Sequence, residues 1–311
     1  MRIAISTQDI THLITRATWS GDRTQAARKL EFEFAADDRD ILLPTVDFDC
    51  GYTVYGGDDE GNVVFVGNIY DVERNRKRST VKITAFDNLF VLNKSKTTRK
   101  YTDALPEEIA AQICSEMGIL TGDLISTGER VTFIANGKTG YQIITEAYNE
   151  AAKKDGRKYQ CVMDGVRLNV IEKGAPCGVE LSSTSDLTES IYKESIENII
   201  NRVLIADEQG NGGEVISDDE SIRKYSMFQA IYKVDKEKDT ATEAKALMKA
   251  PTREGQVVTV KGDYRLKAGY GVVISDAQFK GQFWIKSDTH TFEGAFHETK
   301  LILEFENLTE D

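Results

Sequence analysis

Two stretches of the chain alternate apolar and polar residues on the same three-step plan. The first opens with Gly51-Tyr52-Thr53-Val54, continues through Val63-Val64-Phe65-Val66-Gly67 and closes with Ser79-Thr80-Val81-Lys82-Ile83-Thr84-Ala85-Phe86-Asp87-Asn88. The second runs Gly269-Tyr270-Gly271-Val272-Val273-Ile274, then Gly281-Gln282-Phe283-Trp284-Ile285, then Thr299-Lys300-Leu301-Ile302-Leu303-Glu304-Phe305-Glu306-Asn307. Each reads as three β-strands, because a period of two places the apolar residues on one face and turn residues separate the runs. At one constant offset Phe65 falls on Trp284, Val66 on Ile285, Phe86 on Phe305 and Asn88 on Asn307, with the Gly-Tyr pair out by a single residue. Three strands in one order and one spacing predict an internal duplication.

The pattern changes between the copies. Before the first, Asp9 to Ser20 alternates imperfectly and Ala26 to Ala35 alternates through Leu30, Phe32 and Phe34; residues 36–50 read as an irregular connection. Asp87 to Leu92 predicts a closing helical turn and Asn93 to Tyr101 a charged linker. Leu105-Pro106-Glu107-Glu108 then signals a helix start, with proline in the first turn and acids at the positive end of the helix. Ile109, Ile113 and Met117 recur at helical spacing up to Gly118, and a second helix is expected from Thr139 to Asp155-Gly156. Tyr159, Cys161 and Met163 alternate into the turn Asp164-Gly165, and Val166, Leu168 and Val170 alternate back, a hairpin. Further on, a strand is expected near Val203, a helical turn over Asp218–Ser226 and a strand through Phe228, Ile231 and Val234. A helix from Thr240 to Lys249 and a strand through Val257, Thr259 and Lys261 complete the reading. The expected fold is α+β and mainly β: a first β-barrel domain over residues 1–95, a small α/β insert over 96–180 and a related second β-barrel domain over 181–311.

Length and composition change this picture little, since 40% hydrophobic and 29% charged residues describe a globular protein. The first residues lack the apolar core of a signal peptide and no run is long enough to cross a bilayer, so folding in the cytoplasm is expected. A net charge of -12 argues against sequence-specific nucleic-acid binding. The one basic cluster, Arg74-Asn75-Arg76-Lys77-Arg78, lies where a hairpin loop is expected. Acidic charge does suit a surface past which nucleic acid slides without sticking.

No reactive constellation emerges. Cys50, Cys114, Cys161 and Cys177 lack short metal-ligand spacing and read as reduced thiols. His290 and His297 would point to opposite faces of a continuous strand, so a polar hairpin is expected there rather than a metal site. The Asp37/Asp38/Asp40 cluster and Gly56-Gly57-Asp58-Asp59-Glu60-Gly61 lack calcium-loop spacing. Asp207 to Glu214 is glycine-rich without the lysine of a phosphate loop. Trp19, Phe283 and Trp284 read as core or subunit-interface aromatics. Catalytic, cofactor and metal residues are each expected to be none, and the chain is not expected to be an enzyme.

Gly262 to Gly269, Gly281 to Ile285, Asp288 to Phe292 and His297 to Glu304, with Glu197 to Val203 and Ile222 to Ser226, together resemble the XkdQ/YqbQ-type tail proteins of PBSX-like prophages. That family would usually have glycine where Ser226 stands. The resemblance covers essentially the whole chain and implies kinship with the baseplate hubs of contractile tails, including myophages, R-type bacteriocins and type VI spikes. It implies a homotrimer carrying two tube-like barrels per chain, and thus pseudo-six-fold symmetry between a three-fold spike and a six-fold tube. Its implied partners are the spike, the tail tube and other baseplate and tape-measure proteins, and its implied location is the bacterial cytoplasm during assembly and then the baseplate. No hydrolase segment is read after Asn307, so wall-degrading activity is expected on another chain. A carbohydrate- or receptor-binding module and a tail-associated peptidoglycan hydrolase are the alternatives.

Overall fold

A computed structural model describes residues 1–23, 25–36, 45–207, 212–234 and 239–305. The chain is α+β and mainly β, with five α-helices among the described residues. It divides into two compact units, residues 1–191 with 256–311, and residues 192–255.

The first unit begins with β1 (Arg2–Ile5), β2 (Gln8–Asp9), β3 (Ile14–Asp22) and β4 (Gln25–Ala35). A 3-10 turn at Thr11–Leu13 separates β2 from β3, which is why alternation across Asp9 to Ser20 is imperfect. The first copy of the repeat is β5 (Thr53–Gly57), β6 (Val63–Asn75) and β7 (Thr80–Asp87). Helix α1 (Leu89–Lys94) follows, its first free N–H groups met in part by Asp87, which accepts from Leu89 N at 3.0 Å.

The stretch from Asn93 to Tyr101, expected as a linker, instead ends α1 and supplies most of strand β8 (Lys96–Ala104), paired antiparallel with β10 (Val131–Thr139). Its run of lysines, arginines and threonines hides the strand, since only Tyr101 is buried between residues 96 and 104. Helix α2 (Pro106–Glu116) starts at its proline, β9 (Leu120–Leu124) follows, and α3 (Gly140–Asp155) starts at a Thr139–Gln142 capping box. Gly156 ends α3 at a φ of 75°, a left-handed turn that glycine adopts without strain. The expected hairpin is β11 (Tyr159–Asp164) with β12 (Arg167–Glu172), and β12 also pairs parallel with β9. Ile109, Ile113, Ile144, Ala147 and Tyr148 form the core of this region with Leu168 and Val170.

Next come β13 (Pro176–Ser182) and β14 (Leu187–Ser195), the latter running from the first unit into the second. The second unit has its own small sheet of β15 (Arg202–Ala206), β16 (Gly212–Ser217) and β17 (Gln229–Lys233), with α4 (Asp219–Tyr225) and α5 (Thr240–Ala246). Asp218 caps α4 by accepting from Ser221 N at 2.9 Å. The chain returns along β18 (Thr252–Thr259) to the second copy of the repeat: β19 (Gly271–Ser275), β20 (Lys280–Glu293) and β21 (Phe296–Glu304).

Both copies belong to one sheet, with strand order β14-β18-β21-β20-β3-β4-β7-β6-β5-β1-β2 and with β19 pairing β20 and β13. Each has its own apolar cluster, built around Leu30, Phe32, Ile69 and Ile83 in one and Val272, Ile285, Leu301 and Leu303 in the other.

Candidate functional site at the strand junction

The duplication is visible in the backbone, but not at the offset the letters suggest. Gly51 N donates to Ile69 O at 2.8 Å and Ile69 N to Tyr52 O at 2.9 Å. Gly269 N donates to Ile285 O and Ile285 N to Tyr270 O at the same two distances. Gly51 and Gly269 have φ of 91° and 92°, the positive range that glycine tolerates. The central strands bulge at matching places, between Ile69 and Asp71 in β6 and between Ile285 and Ser287 in β20. Ile69 therefore corresponds to Ile285, Ala85 to Leu303 and Ile83 to Leu301, and all six are buried. The pairing of Phe65 with Trp284 and Phe86 with Phe305 is corrected: Asn68 takes the place of Trp284. Asn307, matched to Asn88, lies outside the described residues. Turns of different length carry the strands, so one constant offset joins residues on opposite faces, and the single-residue slip at Gly-Tyr marks the true register.

The copies differ at the far half of the central strand. The near half of β20 pairs with β19, and its far half pairs with β3 through Ser287–Asp22, Asp288–Gly21, Thr289–Ser20, His290–Trp19, Thr291–Thr18 and Phe292–Ala17. Arg23 N extends the ladder by donating to Lys286 O at 3.0 Å. The near half of β6 pairs with β5, whereas no strand among the described residues pairs with the edge of Asp71–Asn75 that faces away from β7.

The β3–β20 junction is locked by a buried polar cluster. Asp288 is 1% exposed and receives both terminal nitrogens of Arg28, and Ala268 N donates to it at 2.6 Å. Burial alone would raise its pKa, but the Arg28 guanidinium prevails and holds the carboxyl at about 2. The Arg28 guanidinium also stacks 4.1 Å over Trp19. His290 is fully buried, with Nε2 3.0 Å from Leu266 O and Nδ1 3.1 Å from both His297 Nε2 and Thr299 Oγ1. The β20–β21 turn intervenes between the two histidines, so they face each other rather than lying on opposite faces. Burial, then the neighbouring His290, pushes His297 down to about 3. Asp87 is equally buried, yet among the described residues it accepts only from the main-chain N–H groups of Arg28 and Leu89, and burial pushes it up to about 7.

The Thr299 hydroxyl and the His290 imidazole that meet in this cluster are both fully buried. Among the described residues no group of three or more His, Cys, Asp or Glu could hold a metal. Asp58, in the calcium-like segment, caps the β5–β6 turn by accepting from Asn62 N at 2.8 Å and Glu60 N at 3.0 Å. Asp37, Asp38, Asp40 and residues 208–211 of the glycine-rich segment lie outside the described residues. The basic cluster forms the β6–β7 turn, with Arg74 stacked 4.9 Å over Phe48. Cys114 and Cys161 are buried thiols, pushed up to about 11 and 12 by burial. Trp19 and Phe283 are core aromatics, and Trp284 lies under Lys173 Nζ at 3.5 Å. None of the described helices is long and apolar enough to cross a membrane.

Comparisons with known proteins agree with this architecture. The model of the YQBQ-like family matches residues 17–304. The phage-like element PBSX protein XkdQ of Bacillus subtilis is 25% identical over 298 residues, 89% of this chain and 88% of its own length. The 43 kDa tail protein of prophage MuSo2 from Shewanella oneidensis superposes with a TM-score of 0.72 at 13% identity, covering 97% of each chain. The E. coli c3393 protein, a type VI secretion component with structural similarity to the T4 tail proteins gp27 and gp5, gives 0.55 at 9% identity over 98% of this chain and 74% of its own.

Proposed function

Because the chain belongs to the YQBQ-like family, we propose that it is a non-enzymatic structural hub of a contractile-tail baseplate, acting as a homotrimer that adapts a three-fold spike to a six-fold tail tube. The observation that carries this reading is the duplicated β unit, with its two copies joined edge to edge by β3 and β20. Three such chains present six similar β units around one axis, the arrangement a junction between three-fold and six-fold partners requires. The names of the similar proteins, prophage tail proteins and a type VI component, support the same setting.

The spike and the tail tube are the proposed partners, with other baseplate and tape-measure proteins around them. The proposed setting is the bacterial cytoplasm during assembly and the tail baseplate afterwards. The net charge of -12 suits a channel wall that nucleic acid passes without binding. Negative-stain imaging with two-dimensional averaging tests the reading. A three-fold or apparent six-fold ring with a central hole is the expected result. A compact monomer that stays monomeric when co-expressed with its spike and tube proteins would overturn it.

A further inference from the structure

The strand order of the sheet contains the same five-strand series twice. One series is β3-β4-β7-β6-β5 and the other is β14-β18-β21-β20-β19. Position by position, β14 therefore stands where β3 stands, and the two strands are the same length, nine residues each. The chain between β14 and β18 carries the second compact unit, whereas β3 passes almost directly to β4.

This correspondence gives the two ends of an unfinished contact. Within the chain, β3 of the first series covers the far half of β20 in the second. The equivalent contact in the opposite direction would place β14 against the far half of β6, Asp71–Asn75. It is not made: β14 ends the strand order, and that half of β6 has no second partner among the described residues. β14 also leaves exposed what the completed junction buries: Trp19, the sixth residue of β3, is 1% exposed, while Tyr192, the sixth residue of β14, is 36% exposed. An uncovered strand edge presents a row of main-chain donors and acceptors that templates another strand.

We propose that β14 of one protomer pairs antiparallel with the far half of β6 in the next, repeating between chains the junction that β3 and β20 make within each chain. The contact is heterologous: different strands of each chain meet, so every protomer carries one donor edge and one acceptor edge. Repetition of this step builds a ring in which junctions within and between chains alternate. The inference rests on the hub reading for its closure at three chains, but the strand pairing stands on the repeat itself.

Disulfide trapping of the full-length chain separates the two ideas. By the bulge alignment, Thr289 of β20, which faces Ser20, corresponds to Glu73. Glu73→Cys is combined in turn with Ile191→Cys, Tyr192→Cys and Lys193→Cys, in a Cys50→Ser background because Cys50 Sγ lies 3.8 Å from Tyr70 O. Copper-phenanthroline oxidation followed by non-reducing denaturing electrophoresis reads the result, with light scattering on the untreated sample. The expected outcome is a covalent ladder ending at three chains for at least one double variant and none for the single variants. Absence of cross-links in all three, with a trimer by light scattering, overturns the strand pairing and leaves the hub reading intact. Absence of cross-links with a monomer counts against both. Cross-linking by a single variant also overturns the pairing, since it requires a self-complementary contact. A ladder running beyond three chains supports the pairing and refutes three-fold closure.

Discussion

In the second β unit the far half of β20 is covered by β3, and in the first the matching half of β6 is bare among the described residues. The main chains around these strands are otherwise alike, down to a pair of hydrogen bonds from a Gly-Tyr step and a bulge one residue past a buried isoleucine. The difference lies in what each strand carries beyond the bulge. On β20 it carries Asp288 and His290, buried against Arg28, Trp19 and Thr299. The corresponding positions on β6 are Val72 and Arg74, half-buried and exposed. A finished junction holds a buried polar cluster around the Arg28–Asp288 pair, and an unfinished one keeps residues that tolerate water. Breaking a buried pair leaves an uncompensated charge, so the two regions should respond very differently to substitution.

The largest effect expected is at Asp288. Asp288→Ala leaves Arg28 without its partner and should cost about 3–5 kcal/mol in urea unfolding. Val72→Ala, at the equivalent place on β6, should cost less than about 1.5 kcal/mol. Equal losses would mean that the junction is not what distinguishes the copies. Where the copies agree, the costs should agree as well. Ile69→Ala and Ile285→Ala each remove a side chain that is 1% exposed, and each should cost about 2–5 kcal/mol, with the two values within about 1 kcal/mol. A large gap between them would argue against the bulge-to-bulge alignment.

A third expectation concerns pH. His297, held at about 3 against an ordinary 6.5, stays neutral in the folded chain where the unfolded chain takes up a proton. The stability this supplies is complete above pH 6.5 and drains away as pH falls toward 3. Asp288, held at about 2 against 3.8, adds a second loss between those values. Asp87 acts in the opposite sense: its contribution is complete below 3.8 and is lost as pH rises through about 7. Urea midpoints for the parent and His297→Gln at pH 7 and pH 5 isolate the first term. The parent should lose more stability than the variant between the two pH values, and equal losses would remove His297 from the account.

The smallest effect is expected in the second compact unit. Ser226 follows α4 at a φ of 72° and is solvent-exposed, a backbone state that costs a residue with a side chain about 1 kcal/mol or more. Ser226→Gly should therefore raise stability by several tenths to about 1 kcal/mol by thermal unfolding. The glycine that the family resemblance leads one to expect at this position would thus have a conformational reason. A neutral or destabilising result would show that the serine side chain compensates.

Local chemistry made much of this fold legible. The helix start at Thr139, the proline that opens α2 and the Asp164-Gly165 turn marked elements that the structure reproduces, because each is decided within a few residues. The charged strand β8 was not legible, since its partner β10 lies beyond a helix and only Tyr101 is buried along residues 96–104. The candidate site was half legible. Trp19 stood out as an aromatic on a strand, but nothing near Arg28 in sequence announces that it will meet Asp288 across the junction.

The duplication shows where the boundary falls. The alternating letters by themselves determined that there are two copies of three strands, because the period of two is a property of each strand alone. They did not determine which residue matches which, since a turn one or two residues longer shifts every later letter while the hydrogen bonds hold their places. Only the tertiary structure decided the register, through the bulges and the two Gly-Tyr steps. It alone decided that one central strand is covered and the other, among the described residues, unpaired along its far half, because an edge is paired or free according to what a distant part of the chain brings to it.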